Sequence, residues 1–415
     1  MLKRSIPILA GLALIFVLIS ASVSAQELGL TDERCLWTYS TESMPKDLAV
    51  ISDIDGDGVD EIVIGERNGA LSVLNGKTAK LIWKATIPRA IAVITSYTHD
   101  LKDYVLVRSA GPSRLTLLET HNGEQLWDTL ISGNSGWARL ATTIIPDING
   151  DGWSDICIGS DDEIACFSGL TGAKVWTNTL SQARVFESIW ITSTEEESPI
   201  IGIGTSINGV FLLDGSNGEV IRSRQDIWAK RIESHAIAES NLFIRAGIPN
   251  NNQIEKVVAL SPIDLGIKWE VELSRFWDFL AVPDINADYL GDLIVGIWED
   301  KGPVCAMNAV DGSILWECDL YLGGNPEPFD ASGDFNNDGF PELLVGTGGG
   351  PGFVYLIDLK AGSVLWTFHA SEEVQSDISE LIVAGDLNGD GIPDVVAASW
   401  DLNIYALSGK ISKNN

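Results

Sequence analysis

Five aspartate-rich loops recur along the chain in one nine-residue register, and that repetition limits it to architectures that repeat a single β unit. They are Asp53-Ile-Asp55-Gly-Asp57-Gly-Val59-Asp-Glu61, Asp147-Ile-Asn149-Gly-Asp151-Gly-Trp153-Ser-Asp155, Asp284-Ile-Asn286-Ala-Asp288-Tyr-Leu290-Gly-Asp292, Asp334-Phe-Asn336-Asn-Asp338-Gly-Phe340-Pro-Glu342 and Asp386-Leu-Asn388-Gly-Asp390-Gly-Ile392-Pro-Asp394. A short apolar run such as Ile62-Val-Ile-Gly65 follows each one at once. One such loop is equally an ordinary Asp-Gly turn. Five in the same register point to a shared ligand.

The spacing suits a hard cation. Calcium takes six to eight oxygens at about 2.3–2.6 Å. Side chains at positions 1, 3 and 5 alternate inward around one centre, the position 7 carbonyl joins them, and the position 9 carboxylate closes the shell. Position 6 turns through positive φ, which glycine accepts freely. An EF-hand would need a glutamate at position 12 and flanking helices. Position 12 is instead Ile64, Ile158, Val295, Val345 and Ala397, so that fold is excluded. The expectation is up to five calcium ions. The third loop, with Tyr289 where glycine belongs, should be weak or empty.

A second period is independent of the first. Trp37, Trp83, Trp127, Trp176, Trp269, Trp316 and Trp366 each lie in a strand that follows a turn, and Ile221 fills the one gap. Successive spacings are 46, 44, 49, 45, 48, 47 and 50 residues. A period of about 47 made only of short strands predicts a β-propeller with one four-stranded blade per repeat. Residues 48–52, 61–65, 70–74 and 81–85 are the strands predicted for the first blade, with the acidic loop between the first two.

The last repeat stops after its third strand, Asn403-Ile-Tyr-Ala-Leu407, and an orphan strand, Cys35-Leu-Trp37-Thr-Tyr, opens the chain. Pairing the two completes an eighth blade and removes an exposed sheet edge. The expected fold is therefore all-β, an eight-bladed β-propeller spanning residues 26–415 as one domain. Acidic loops fall in blades 1, 3, 6, 7 and 8.

The loops, each followed by an apolar strand, resemble the FG-GAP repeats of integrin α-subunit propellers. Turns such as Leu170-Thr-Gly-Ala-Lys-Val-Trp176 resemble the tryptophan-docking repeats of quinoprotein-like propellers. The resemblance implies metal ligation at loop positions 1, 3, 5, 7 and 9. It does not extend to integrin ligand recognition, because integrin propellers have seven blades and long leg domains, nor to quinone-dependent dehydrogenation, because the vicinal cysteine pair is missing.

The chain begins with Lys3-Arg4, an apolar run from Ile6 to Ile19 and small residues ending at Ala25. Residues 1–25 read as a secretory signal cleaved before Gln26, with an uncleaved N-terminal anchor as the alternative. The protein is then secreted, displayed at the cell surface or periplasmic. A formal charge of −31 repels nucleic acid and anionic lipid and favours cationic partners. Cys157 and Cys166 flank a two-residue turn, and Cys305 and Cys318 are symmetric about Asp311-Gly312. Both spacings allow cross-strand disulfides in an oxidising compartment; otherwise the five cysteines are buried thiols.

Nothing nominates a catalytic centre. The four histidines are scattered, and there is no His-Glu-x-x-His or Gly-x-Ser-x-Gly segment. Recognition is expected on the face opposite the acidic loops. Trp137, Arg184, Trp228, Arg231, Trp277, Trp298, Lys301, Tyr321 and Trp400 fall there, in or beside the connections between strands 2 and 3 and between blades, and aromatic and arginine side chains dominate binding hot spots. The reading is a non-enzymatic extracellular module that binds a protein or glycan. Two alternatives stay open: a polysaccharide-active enzyme similar to rhamnogalacturonan lyases, and an envelope assembly scaffold.

Overall fold

The computed structural model describes residues 32–111, 113–131, 141–180, 185–191, 198–205, 209–234, 241–248, 251–298, 302–320, 324–371 and 376–411. The proposed signal segment lies outside them. Eight antiparallel four-stranded sheets make up the ring. We number them blade 1 (45–86), blade 2 (91–130), blade 3 (142–179), blade 4 (185–224), blade 5 (229–274), blade 6 (276–318), blade 7 (325–369) and blade 8 (378–407 with 35–40). Among the described residues the only helical element is a short 3-10 turn, Asp32–Arg34, and no helix is long and apolar enough to cross a membrane.

The burial of each strand follows from its place in the blade. Second and third strands such as Glu61–Glu66 and Ala70–Leu74 are buried throughout, because neighbouring blades cover both faces of the sheet. Fourth strands such as Leu81–Thr86 and Lys174–Thr179 alternate with solvent. First strands line the channel and touch the first strands of adjacent blades. The core is correspondingly divided into eight apolar clusters, one in each gap between blades.

The tryptophan period has a direct structural cause. Each docking indole N–H donates to a main-chain carbonyl of the next blade: Trp37 to Gly76 (2.7 Å), Trp83 to Thr120 (2.6 Å), Trp127 to Gly169 (2.9 Å) and Trp176 to Gly215 (2.8 Å). Trp269, Trp316 and Trp366 do the same to Ala309 (2.8 Å), Leu359 (2.9 Å) and Gly409 (3.3 Å). Five of these rings, Trp83, Trp127, Trp176, Trp269 and Trp316, also press against an αL glycine of that turn. A Cβ on Gly218, where φ is +74°, would sit 2.3 Å from the Trp176 ring. In blade 4 Ile221 replaces the indole, and the facing position is Leu265, which holds φ +57°. Bulk has moved from one side of the interface to the other.

The ring closes as the chain ends require. Strand Cys35–Ser40 pairs antiparallel with Asn403–Leu407, Tyr39 opposite Ile404. Arg34, which the repeat pattern does not single out, reinforces the closure. Its Nη1 donates to the Ser408 and Lys410 carbonyls, both at 2.7 Å, and its guanidinium lies 4.5 Å from the Trp366 ring centre. Burial pulls its pKa down to about 10.

Removing the chain through Ser40 should expose Asn403–Leu407 as an apolar edge and yield aggregated protein; a soluble, cooperatively unfolding monomer in size-exclusion and urea experiments would contradict the closure. Trp127→Ala should lower unfolding free energy by about 3 kcal/mol or more, whereas Ile221→Ala, at a residue 52% exposed, should stay within about 0.5 kcal/mol. Equal losses would remove the docking role assigned to the indole.

Candidate metal loops and the opposite channel mouth

All five acidic loops share one hydrogen-bond scheme. The position 1 carboxylate accepts the N–H of position 6 on its second oxygen: Gly58 to Asp53, Gly152 to Asp147, Tyr289 to Asp284, Gly339 to Asp334 and Gly391 to Asp386, at 2.6–2.8 Å. The position 5 carboxylate accepts the N–H of position 7: Val59 to Asp57, Trp153 to Asp151, Leu290 to Asp288, Phe340 to Asp338 and Ile392 to Asp390. One oxygen of each ligand candidate is thereby oriented by the main chain. Position 4 also needs positive φ, which the spacing alone did not reveal: Gly56, Gly150, Ala287, Asn337 and Gly389 all adopt it. Loop 3 is the most strained, with both Ala287 (φ +65°) and Tyr289 (φ +76°) in this region.

Position 9 is the buried end of every loop. Glu61, Asp155, Asp292, Glu342 and Asp394 are all buried at the start of a second strand or immediately before it. Each accepts the N–H of position 2: Ile54, Ile148, Ile285, Phe335 and Leu387 respectively. Burial raises every one of these carboxyls, Glu61 to about 7 and Asp394 to about 6. At the rim, by contrast, the N–H groups of Gly58 and Gly56 hold Asp53 below its ordinary value. Each loop thus sets exposed or half-buried acidic side chains above a buried acid whose charge needs a partner.

The loops differ in how well that need is met. The position 3 amides of loops 2, 4 and 5, Asn149, Asn336 and Asn388, donate to Asp155, Glu342 and Asp394. Loop 1 has Asp55 instead, so Glu61 Oε2 is buried without a partner. Ligand oxygens of Asp53, Asp55 and Glu61 lie within 4.8 Å of one another. In loops 4 and 5 a lysine approaches position 5, Lys360 to Asp338 at 3.6 Å and Lys410 to Asp390 at 3.4 Å. Loop 1 receives the neutral Asn75 amide there, on Asp55 and Asp57. Asp288 Oδ2 of loop 3 is also buried without a partner, but by donor charge and by the convergence of three carboxylates loop 1 fits a divalent cation best.

The other face is shaped by bulges. In seven of the eight blades, among the described residues, the first strand shifts register near its start. Such bulges re-aim side chains. Lys46, Glu327, Pro328 and Ser379 sit at these shifts and, with Arg231, Asp278, Phe329, Asp377, Glu380 and Trp400, line a cavity of about 450 Å³ at the channel mouth. Four carboxylates and two cations therefore surround it. The turns between strands 2 and 3 are tied to the segment preceding their first strand: Trp400 N–H donates to the Asp377 carbonyl at 2.9 Å and Trp298 N–H to that of Arg275 at 2.7 Å.

Of the residues expected here, Trp228, Trp298 and Trp400 are exposed on this face, at 37%, 40% and 42%. Arg275 stacks 4.2 Å above Trp298, and Lys230 lies 5.6 Å from Trp228. Arg231 reaches the mouth but is engaged by Glu233 at 2.7 Å and by Asp278 of blade 6, which gives it a bridging role between blades. Trp277 is at the blade 6 bulge. Trp137, Arg184, Lys301 and Tyr321 lie outside the described residues. A buried network beneath Trp228 had no signal in the sequence: Arg245 donates to Glu255 at 2.6 Å, joined by Lys230. Burial works to raise the Glu255 carboxyl, yet the two cations hold it below its ordinary value.

The cysteines occupy two different geometries. Cys157 is directly opposite Cys166. Cys305 is opposite Glu317, and Cys318 opposite Val304, so one step of register places Cys305 and Cys318 on opposite faces of the sheet. That excludes the second cross-strand bond allowed by the spacing.

Two family models match the chain. Residues 31–237 match that of the outer membrane protein assembly factor BamB, and residues 334–397 match an FG-GAP-like repeat. No curated protein matches in sequence. Among solved structures, BamB from Moraxella catarrhalis is similar, with a TM-score of 0.59 and 13% identity, covering 92% of this chain and 98% of that one. BBS1N in complex with ARL6DN gives 0.54 and 11%, covering 92% and 98%. The computationally designed Ika8 protein gives 0.61 and 15%, covering 90% and 99%. At these identities the likeness is one of fold. The chain is an eight-bladed β-propeller that carries BamB-like and FG-GAP-like repeats in a single closed ring.

Proposed function

We propose that this propeller is a non-catalytic scaffold of the cell envelope, stiffened by calcium in its acidic loops, that binds a protein partner across the opposite channel mouth. The observation that carries the reading is the division of the two faces. One face spends its polar groups on five self-organised loops; on the other, bulged first strands direct side chains into an open cavity lined in part by the exposed Trp400. The match to an outer membrane protein assembly factor supports an envelope scaffold. A similar propeller solved in complex with another protein supports a protein partner. The carboxylate excess at the mouth and the formal charge of −31 favour a partner with a cationic segment, which such a field would steer and orient.

Calcium would be held by Asp53, Asp55, Asp57, Glu61 and the Val59 carbonyl in loop 1, and by the corresponding groups in the others. Its contribution is structural: it supplies the charge that the buried position 9 carboxylate lacks. With free calcium at 100 times the dissociation constant, each occupied site adds about 2.7 kcal/mol. Calorimetry should therefore show a melting temperature several degrees lower in chelator than in calcium. Asp57→Ala should lose more of this increment than Asp288→Ala. An unchanged melt would sink the metal assignment.

The face assignment has its own test. A photo-crosslinking residue placed at Trp400 or Trp298 should capture the same envelope protein in living cells, and one at Tyr289, 89% exposed on the loop face, should not. Trp400→Ala should weaken the captured complex by about 2 kcal/mol without moving the calcium-dependent melt. Capture from the loop face alone would reverse the assignment, and a glycan-only ligand would replace the scaffold reading.

A further inference from the structure

Blade 3 contains a cysteine pair that neither face uses. Cys157 and Cys166 are opposed on its second and third strands, both are fully buried and both are thiols. The parity of the sheet's hydrogen bonds decides how they meet. Gly159 N–H donates to the Ala141 carbonyl, so the pair Ala141 and Gly159 is a hydrogen-bonded one. Two residues back, Cys157 opposite Thr143 has the same phase, and its main-chain groups point to the first strand. On the other side Leu180 N–H donates to Asp162. Stepping by two from that pair puts Cys166, opposite Trp176, in phase with the fourth strand.

Neither cysteine therefore directs its main chain at the other. They form a non-hydrogen-bonded pair, the arrangement in which Cα atoms are about 4.5 Å apart and side chains lie closest. That separation falls within the Cα range of about 4.4–6.8 Å that a disulfide spans. Both side chains belong to the apolar cluster between blades 3 and 4, beside Ile145, Ile164 and Leu213.

We propose that Cys157 and Cys166 are joined by a disulfide when the chain folds in an oxidising compartment. A thiolate of one attacks an incoming protein or glutathione disulfide and releases one thiol. The second cysteine then attacks the mixed disulfide, forming the Sγ–Sγ bond and releasing the other thiol. Two protons and two electrons pass from the cysteines to that disulfide. The bond forms before blade 4 covers the pair, because both thiols are fully buried in the finished ring and out of reach of an external disulfide. The staple would lock the register of the strand that begins at Asp155, the buried carboxylate of loop 2. The source of oxidant rests on the envelope reading above; the geometry does not.

The full chain, refolded from denaturant in a glutathione redox buffer and then alkylated in denaturant, should yield a linked peptide pair containing Cys157 and Cys166. Cys35, Cys305 and Cys318 should be alkylated. Alkylation of all five cysteines, or a link between Cys305 and Cys318, would overturn the proposal. Protein recovered from the envelope should carry the same link. If the link forms in the refolded chain while envelope protein has five thiols, the disulfide geometry stands and the compartment assigned to the protein falls.

Discussion

The indole N–H of each docking tryptophan, given to a main-chain carbonyl of the following blade, is the interaction on which the rest of the ring depends. A blade is a small sheet with two apolar faces, and one repeat cannot bury them by itself. It must be covered on both sides, and the hydrogen bond fixes where each neighbour sits. Seven indoles repeat this contact, and the exception is instructive: where blade 4 presents Ile221, the turn it faces carries Leu265 in a backbone region that elsewhere belongs to glycine or alanine. There the interface is filled from the turn side, by the buried Leu265, and not by the exposed Ile221.

Because the blades pack only against their neighbours, closure matters more than any single interface. The N-terminal strand pairs with the last repeat, and Arg34 spans the joint by contacting Trp366, Ser408 and Lys410. The arginine gives up solvation there, as its lowered pKa reflects, and recovers it through two main-chain carbonyls and an aromatic face. A strand at one end of the chain thus completes a sheet begun at the other, so the third strand of the last repeat is not left as an open edge.

The same topology separates the two faces chemically. Turns at the ends of the first strands hold carboxylates in Asx-type hydrogen bonds and direct one acid of each loop inward, where burial raises its pKa. The starts of those strands meet at the channel mouth, where register shifts in blades 1, 7 and 8 turn Lys46, Glu327 and Ser379 toward a common space. Rigidity on one side and accessible, varied side chains on the other is the usual arrangement for recognition on a fixed scaffold.

The periodic features were legible in the residues themselves: blade number, strand order, ring closure and the loop register each repeat, and repetition separates a signal from a chance turn. The acid at position 9 was legible as a candidate ligand, but its burial was not, because that depends on the next turn and the adjacent blade closing over it. Arg231 read as an exposed hot spot; its pairing with Asp278 depends on two first strands meeting across a blade boundary. Cys305 and Cys318 were symmetric about Asp311-Gly312, yet the strands pair about a centre one residue earlier, with Met307 opposite Ile314, and the bulge beside Met307 recovers only part of that offset, whereas Cys157 and Cys166 are in register. The linear order of residues by itself determined which units form and how many. Which side chains share a space was decided only by tertiary structure, because bulges and blade-to-blade contacts bring together residues that no local period connects.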